Sequence, residues 1–345
     1  MATYYKTESD VFTMAERLYD KRHDIVIWQA GSAYAYNKNG MPAGVTACAA
    51  DPDAVTVNVD MTDDELKNAR KTAATREGLR KVETEAAAIL NKGDAITADD
   101  RRALLRILNV AYHNSGKIEG LYSVDGCASC EFCRNMINKA ANNPLMICGL
   151  CYADRDKYKE ASWRRHSLNA RILSTVLFTV EELRALNIDA LVRFNEDGDT
   201  VNQSHAQNLL RIAKAFPRAS FGYFFKHADA VAAGLKAEGY TTRDALPENI
   251  RFIQSSILIG IPARPVWFAD AVFTVYATAD AVAAAVAGGA HECNGKKCMD
   301  CGYMCYLMKR RAEALQIAEY LRCGAPARKI VIAALESWAA MRAAV

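Results

Sequence analysis

Nine of the 11 cysteines in this chain fall in two short stretches far apart in sequence, and any fold it adopts has to accommodate both. The second stretch, His291 to Lys309, carries Cys293, Cys298, Cys301 and Cys305 in the spacing C-x4-C-x2-C-x3-C. The first, Gly126 to Tyr152, carries Cys127, Cys130 and Cys133 as C-x2-C-x2-C, then Cys148 and Cys151 in Cys148-Gly149-Leu150-Cys151-Tyr152. A thiol in water is a weak acid, but a soft metal converts it to thiolate and holds it, so dense cysteines with little histidine around them point to iron–sulfur or zinc. The stretches echo each other, since both end in Cys-Tyr and lead into a basic segment. The expectation is that they close over one metallocentre region.

Compartment and class follow from the same residues. Cytosolic thiols are kept reduced, and the N-terminus MATYYKTESDVF lacks the apolar core of an export signal, so metal ligation is favoured over a disulfide framework. No stretch approaches the roughly 18 apolar residues of a membrane span. A soluble cytoplasmic protein is expected. With 43 Lys and Arg against 40 Asp and Glu, the formal net charge of +3 gives no global case for nucleic acid or an acidic membrane, and any such binding would be local. At 345 residues and 51% hydrophobic, the chain can bury a sizeable core.

Three regions are expected, at 1–115, 116–324 and 325–345. Residues 1–60 read as a small mixed region, with a short helix near Asp10 to Asp20, an apolar run Ile25 to Trp28, and alternation over Val55 to Val59. Cys48 there is alone and reads as a small buried hydrophobe. Thr62 to Glu65 forms a capping box before an apolar helical stripe that runs to Gly93, and a second helix starts at Thr97, so this region is expected to be mostly helical. A loop from Ser115 to Gly126 delivers the first cysteine stretch. After Tyr152 a long helix carrying Arg155, Lys157, Lys159, Arg164, Arg165 and Arg171 is read as a solvated basic face in preference to a phosphate site.

The clearest architecture lies between Ala190 and Tyr276. β-prone runs at Leu191 to Phe194, Phe221 to Phe225, Phe252 to Gln254 and Val272 to Tyr276 recur with helices between them, one capped by Ser204 and stopped at Pro217. That is the pattern of βαβ units, predicting an α/β fold with a parallel sheet or a partial (β/α) barrel. No G-x-G-x-x-G and no Walker lysine loop follows a strand, which lowers the nucleotide-binding open sheets and favours the barrel. Chemistry in such folds gathers at the carboxyl ends of strands. There the chain places Asn195 to Asp199, Lys226-His227 and Gln254 to Ser256. Arg193, Asp199 and Lys226 are the candidate catalytic residues, the cations gripping an anionic substrate and Asp199 orienting it. Gln254, Tyr152 and Tyr306 are candidates for cofactor contact. Beyond Tyr276 a helix over Asp280 to Ala287 precedes the second cysteine stretch, a further helix is expected through Met304, Met308, Leu315, Ala318 and Leu321, and the tail with Trp338 is read as helical. Cys323 is expected to be structural.

All nine clustered cysteines are candidate ligands. Two C-x2-C knuckles, such as Cys148 with Cys151 and Cys298 with Cys301, would satisfy one zinc but leave thiols over. The ferredoxin-like density suits one or two [4Fe-4S] clusters better.

The C-x2-C-x2-C run, CGLCYA, VRFNEDGD from Val192 to Asp199, FGYFFK from Phe221 to Lys226, and KKCMDCGYMCY together resemble the phage gene product 88 family, over roughly residues 115 to 310. That resemblance implies a layout similar to radical S-adenosylmethionine proteins, with an iron–sulfur centre beside a partial (β/α) barrel. It implies Cys148, Cys151, Cys298, Cys301 and Cys305 as cluster ligands and places Arg193, Gly198, Asp199 and Lys226 at the rim. It also implies a histidine two residues after that arginine, where this chain has Asn195. The radical-enzyme motif C-x3-C-x2-C is missing, because Cys301-x3-Cys305 is followed at the needed spacing by Met308, and a thioether is a poor ligand for iron. The function expected from the sequence is an iron–sulfur redox or radical-type enzyme. The alternative is a metal-stabilised module of phage origin that binds protein, or binds nucleic acid through its local basic helices.

Overall fold

The computed structural model describes the strands within residues 2–59 as backbone, and beyond them residues 78–114, 116–126, 131–151, 160–186, 188, 190–293, 297–301, 305–321, 323 and 325–343. The chain divides into two compact units, Met1–Lys81 and Val82–Val345.

The first unit contains strands, which take in the apolar run Ile25 to Trp28 and the alternation expected over Val55 to Val59. β1 (Ala2–Thr7), β6 (Ala54–Val59) and β5 (Val45–Ala47) form one antiparallel sheet, with Tyr4 opposite Val57. β2 (Glu16–Asp20), β3 (Ile25–Ala30) and β4 (Ser32–Asn37) form another, with Leu18 opposite Ile27 and Trp28 opposite Tyr34. The helix expected near Asp10 to Asp20 is corrected at Glu16–Asp20, where Leu18 and Tyr19 are too few for a helical stripe and pair with the β-branched run of β3 instead. The capping box at Thr62 and Cys48 lie outside the described residues. A helix, α1, is described over 78–90, within the apolar helical stripe expected to run to Gly93.

The second unit is α/β. Its sheet has eight strands in the order β13 (His291–Cys293), β14 (Leu315–Tyr320), β12 (Ala271–Tyr276), β11 (Ile250–Ser255), β10 (Ser220–Phe225), β9 (Leu191–Phe194), β8 (Tyr122–Val124) and β7 (Ala111–Tyr112). Every neighbouring pair is parallel except β7 with β8. From β8 to β12 spatial order follows chain order, so no strand reversal creates the crevice of a doubly wound sheet.

Helices connect the strands: α2 (Ala98–Ile107), α3 (Glu131–Ala140), α4 (Glu160–Thr175), the single turn α5 (Val180–Leu183), α6 (Gln203–Ala215), α7 (Ala228–Ala237), α8 (Ala279–Ala287) and α9 (Ala325–Ala343). Local chemistry sets their starts. Thr97 with Asp100 and Thr179 with Glu182 make reciprocal capping boxes. At α6 the cap is Asn202 and not the expected Ser204, because the Asn202 side-chain oxygen reaches the His205 N–H at 3.0 Å.

Strand alternation gives the sheet two different faces. Val192, Phe194, Phe221, Tyr223, Phe225, Ile250 and Phe252 join a core with Leu104, Ile172, Leu173, Leu209, Val231 and Leu235 of the helices. Each fully buried large side chain there stabilises the fold by about 1.5–3 kcal/mol. The opposite face carries Arg193, Gly222, Phe224, Ile253, Phe273 and Ile317, and is covered by the segment that joins β13 to β14.

The helix expected through Met304 to Leu321 is corrected to β14 over Leu315–Tyr320. Leu315 and Ile317 face one core at a period of two, and the strand has backbone partners on both sides, β12 and β13. A buried inner position overrides the helical reading of the apolar spacing. The tail is helical as read, with Val331 buried against Leu145, Ile259 and Leu321, and with Trp338 and Cys323 packed beside them. Among the described residues no helix is long and apolar enough to cross a membrane.

Candidate functional site: thiols, cations and a histidine–carboxylate cluster on one sheet

The carboxyl ends of β8 and β9 carry a concentration of buried polar residues, Ser123, Asp125, Asn195, Asp199 and Thr200. Beyond β9 the backbone turns sharply, with Asn195 at φ 58° and Gly198 at φ 75°. The turn brings Asp199 beneath the end of β10. Its Oδ2 accepts the Lys226 N–H at 2.8 Å, and its Oδ1 accepts the N–H of Thr200 at 2.8 Å and of His227 at 3.4 Å. Burial pushes this carboxyl up while Lys226 and the three N–H groups pull it down, with a raised value as the result. Asn195 is buried too, and its Nδ2 donates to Thr200 Oγ1 and to the Phe224 carbonyl. Gly126 is obligatory here, since a Cβ would stand 2.5 Å from the Asp199 carbonyl oxygen.

Lys226 stands at the centre of the first group of thiols. Burial lowers its pKa, but Asp199, Cys148, Cys151 and Cys133 together hold it above the ordinary value. Burial likewise raises Cys148, against the pull of Lys226. Cys148 and Cys151 lie at a 3-10 turn, Ile147–Leu150, that is pinned to the loop after β11 by Ile147 N–H to the Ile257 carbonyl (2.9 Å) and Ile259 N–H to the Leu145 carbonyl (2.8 Å). Cys133 comes from α3, whose neighbouring Phe132 stacks on the His227 ring at 4.2 Å. Cys127, Cys130 and Tyr152 lie outside the described residues.

The second group lies on the Phe224 and Phe273 face of the sheet. Cys293 ends β13, and Cys298 and Cys301 flank a turn whose Cys298 N–H donates to the Lys117 carbonyl at 2.6 Å. Cys305 is pushed up to about 12 by burial and by Cys293 and Cys298, with Arg193 pulling the other way. Cys298 is raised by burial, against Arg193 and Lys117. The Lys117 ammonium also pairs with Glu319 at 2.5 Å and hydrogen-bonds Cys293. Tyr306 lays its buried ring directly on Gly222, where a Cβ would come within 2.6 Å. Arg193 stacks on Phe224, its guanidinium 4.0 Å from the ring centroid. The described thiols thus form two groups with different cations: Cys133, Cys148 and Cys151 around Lys226, and Cys293, Cys298, Cys301 and Cys305 beside Arg193 and Lys117. Gln254 is engaged elsewhere, its side chain bonded to the Val266 N–H and the Arg264 carbonyl.

A third constellation was not legible in the sequence. His113 follows β7, Asp125 follows β8, Glu196 and Asp197 follow β9, and His166 projects from α4. His113 Nε2 lies 2.8 Å from Ser123 Oγ and 3.2 Å from Glu196 Oε2, and Ser123 Oγ donates to Asp125 Oδ2 at 2.7 Å. Asp125 Oδ1 accepts the Glu196 N–H at 2.8 Å. His166 lies between two carboxylates, Nδ1 at 3.1 Å from Asp197 and Nε2 at 3.5 Å from Asp125. Burial and the Asp125 charge push Glu196 up to about 7. His166 is raised because Asp197 and Asp125 outweigh its burial, whereas burial lowers His113. The signal was dispersed over four elements, two of them strands of three residues or fewer.

Comparison with known proteins returns one family. A family model described as Gene product 88 matches residues 88–300, more than half of the chain. No curated protein matches, and no solved structure matches.

Proposed function

The chain belongs to the Gene product 88 family, and from that membership and its thiol geometry we propose that it is an iron–sulfur protein acting as a redox or radical-type enzyme. The observation that carries the reading is the gathering of Cys293, Cys298 and Cys305 against the Phe224 and Phe273 face of the sheet, with Cys301 next to Cys298 across one short turn and Arg193 and Lys117 as neighbouring cations. Four thiols are a complete ligand set for a cluster, and the two cations offset the charge those thiols acquire as thiolates. Cys133, Cys148 and Cys151 around Lys226 offer a second set, to which Cys127 and Cys130 are close in sequence. When bound, such a cluster supplies one-electron transfer. Lys226 and Arg193 bind the anionic part of a small substrate, and Asp199, held by three backbone N–H groups, fixes the end of β10 from which Lys226 projects.

A partial barrel is the matching architecture. Its support is the chain-ordered run of parallel strands β8 to β12 with helices between them. Met308 in place of a third cysteine argues for a cluster site that differs from the radical-enzyme motif.

Anaerobic purification tests this directly. The expected result is a brown protein with matched iron and acid-labile sulfide, a paramagnetic resonance signal on reduction, and loss of part of that iron in Cys305→Ser. Spectra with and without S-adenosylmethionine report whether that molecule reaches the cluster. A colourless protein holding stoichiometric zinc and no labile sulfide would sink the proposal.

A further inference from the structure

We infer that His113, Asp125 and Glu196 form a binding site for one divalent first-row metal ion, distinct in chemistry from the thiol groups. Their ligand atoms all lie within 4.8 Å of one another. Two donors on one ion at about 2.0–2.2 Å can be no more than about 4.4 Å apart, so small side-chain rotations close the set. One nitrogen and two carboxylate oxygens make a hard to borderline donor set, the kind that selects manganese, iron(II) or zinc in preference to the soft metals thiolates take.

The surroundings have the build of a metal site. Asp197 engages His166 Nδ1 at 3.1 Å and so holds its Nε2 toward Asp125, 3.5 Å away, which steadies a carboxylate of the set. A neighbour that orients a ligating group is the usual outer support of a metal site. Asp125 is fixed independently by the N–H groups of Glu196 and Asp197 on one oxygen and by the Ser123 hydroxyl on the other. Three carboxylates, Asp125, Glu196 and Asp197, meet two histidines and Arg193 in a half-buried to buried location. A divalent cation balances that charge and replaces the contacts water would otherwise make.

Position adds a role. Arg193 is the charged neighbour common to both sides, acting on His113 and Glu196 and also on Cys298 and Cys305. The inferred ion therefore lies at the carboxyl edge of β8 and β9, where an anionic substrate held by Arg193 would meet it.

Manganese(II) is the probe, because thiolates compete for it poorly. The full chain, treated with chelator and desalted, is titrated with manganese(II), and free ion is read by its paramagnetic resonance signal. The expected result is one equivalent bound per chain, with at least a tenfold weaker affinity in Glu196→Gln and in His113→Gln. Asp125 also holds backbone, so the two milder variants carry the test, with circular dichroism confirming that they fold. Stoichiometric manganese(II) binding by a parent chain that retains no iron or labile sulfide separates this site from the iron–sulfur reading. Absence of stoichiometric binding, or equal affinity in Glu196→Gln and His113→Gln, would overturn the inference.

Discussion

Asp199 accepts the backbone N–H of Lys226 at 2.8 Å, so a carboxylate from the loop after β9 closes the carboxyl end of β10. Its oxygens also take the N–H groups of Thr200 and His227, and the same group lies just before α7. An anion here satisfies donors that the helix start leaves open.

Replacing it with an amide puts a donor against donors. Asp199→Asn is expected to lower stability by about 1.5–3 kcal/mol, the usual worth of hydrogen bonds to a charged group. Urea unfolding should show a lower midpoint at unchanged slope, and an unchanged midpoint would refute the role.

Gly222 is expected to tolerate no side chain. In Gly222→Ala the new methyl meets the Tyr306 ring at 2.6 Å, so the ring and the adjacent Cys305 must move. Overpacking of this kind costs about 1–3 kcal/mol. Alkylation of Cys305 under native conditions, followed by mass spectrometry, should accelerate several-fold, and Tyr306→Ala in the same chain should recover part of the lost stability. Equal alkylation rates would show that the ring does not guard the thiol.

Asn208 ties two helices together from within. Its Nδ2 donates to the carbonyls of Leu173 and Val176, both at 2.7 Å, and its Oδ1 accepts the Phe178 N–H at 2.9 Å. Asn208→Leu leaves three buried backbone groups without partners, and a loss of about 3 kcal/mol is expected at roughly 1 kcal/mol for each bond. Thermal or urea unfolding measures it; a loss below 1 kcal/mol contradicts the assignment.

Stability should also fall in acid through one identifiable pair. The Arg101 guanidinium donates two 2.6 Å bonds to Glu182 and holds that carboxyl down at about 2, from an ordinary 4.5. A carboxyl depressed on folding stabilises above its unfolded value and loses that contribution as pH falls from about 4.5 toward 2. The parent should therefore lose more stability over that window than Arg101→Leu does. Parallel curves would exclude the pair as a source of the dependence.

The strand–helix alternation from Leu191 to Tyr276 was legible because inner strands are apolar runs and the helix after the first of them starts at a side-chain cap and ends before Pro217. Leu315–Tyr320 was not, since its mixture of Leu, Ile and Ala satisfies a helical spacing as well as an alternating one, and only its place between β12 and β13 decides. The strand at Glu16–Asp20 escaped because a short polar segment takes its structure from the neighbouring strand it pairs with, whereas the alternation over Val55 to Val59 was legible. Arg193, Asp199 and Lys226 could be read from strand ends. His113, Asp125 and His166 could not, because no spacing rule joins residues that only the sheet order assembles.

The placement of β14 between β12 and β13 has a consequence for biosynthesis. β14 follows the cysteine segment in the chain, and the sheet position between β12 and β13 that anchors the far end of that segment is filled only by this strand. A nascent chain that has already emerged through Cys305 still lacks the anchor that holds those sulfurs in place. Their assembly therefore waits on residues that are synthesised after the sulfurs themselves.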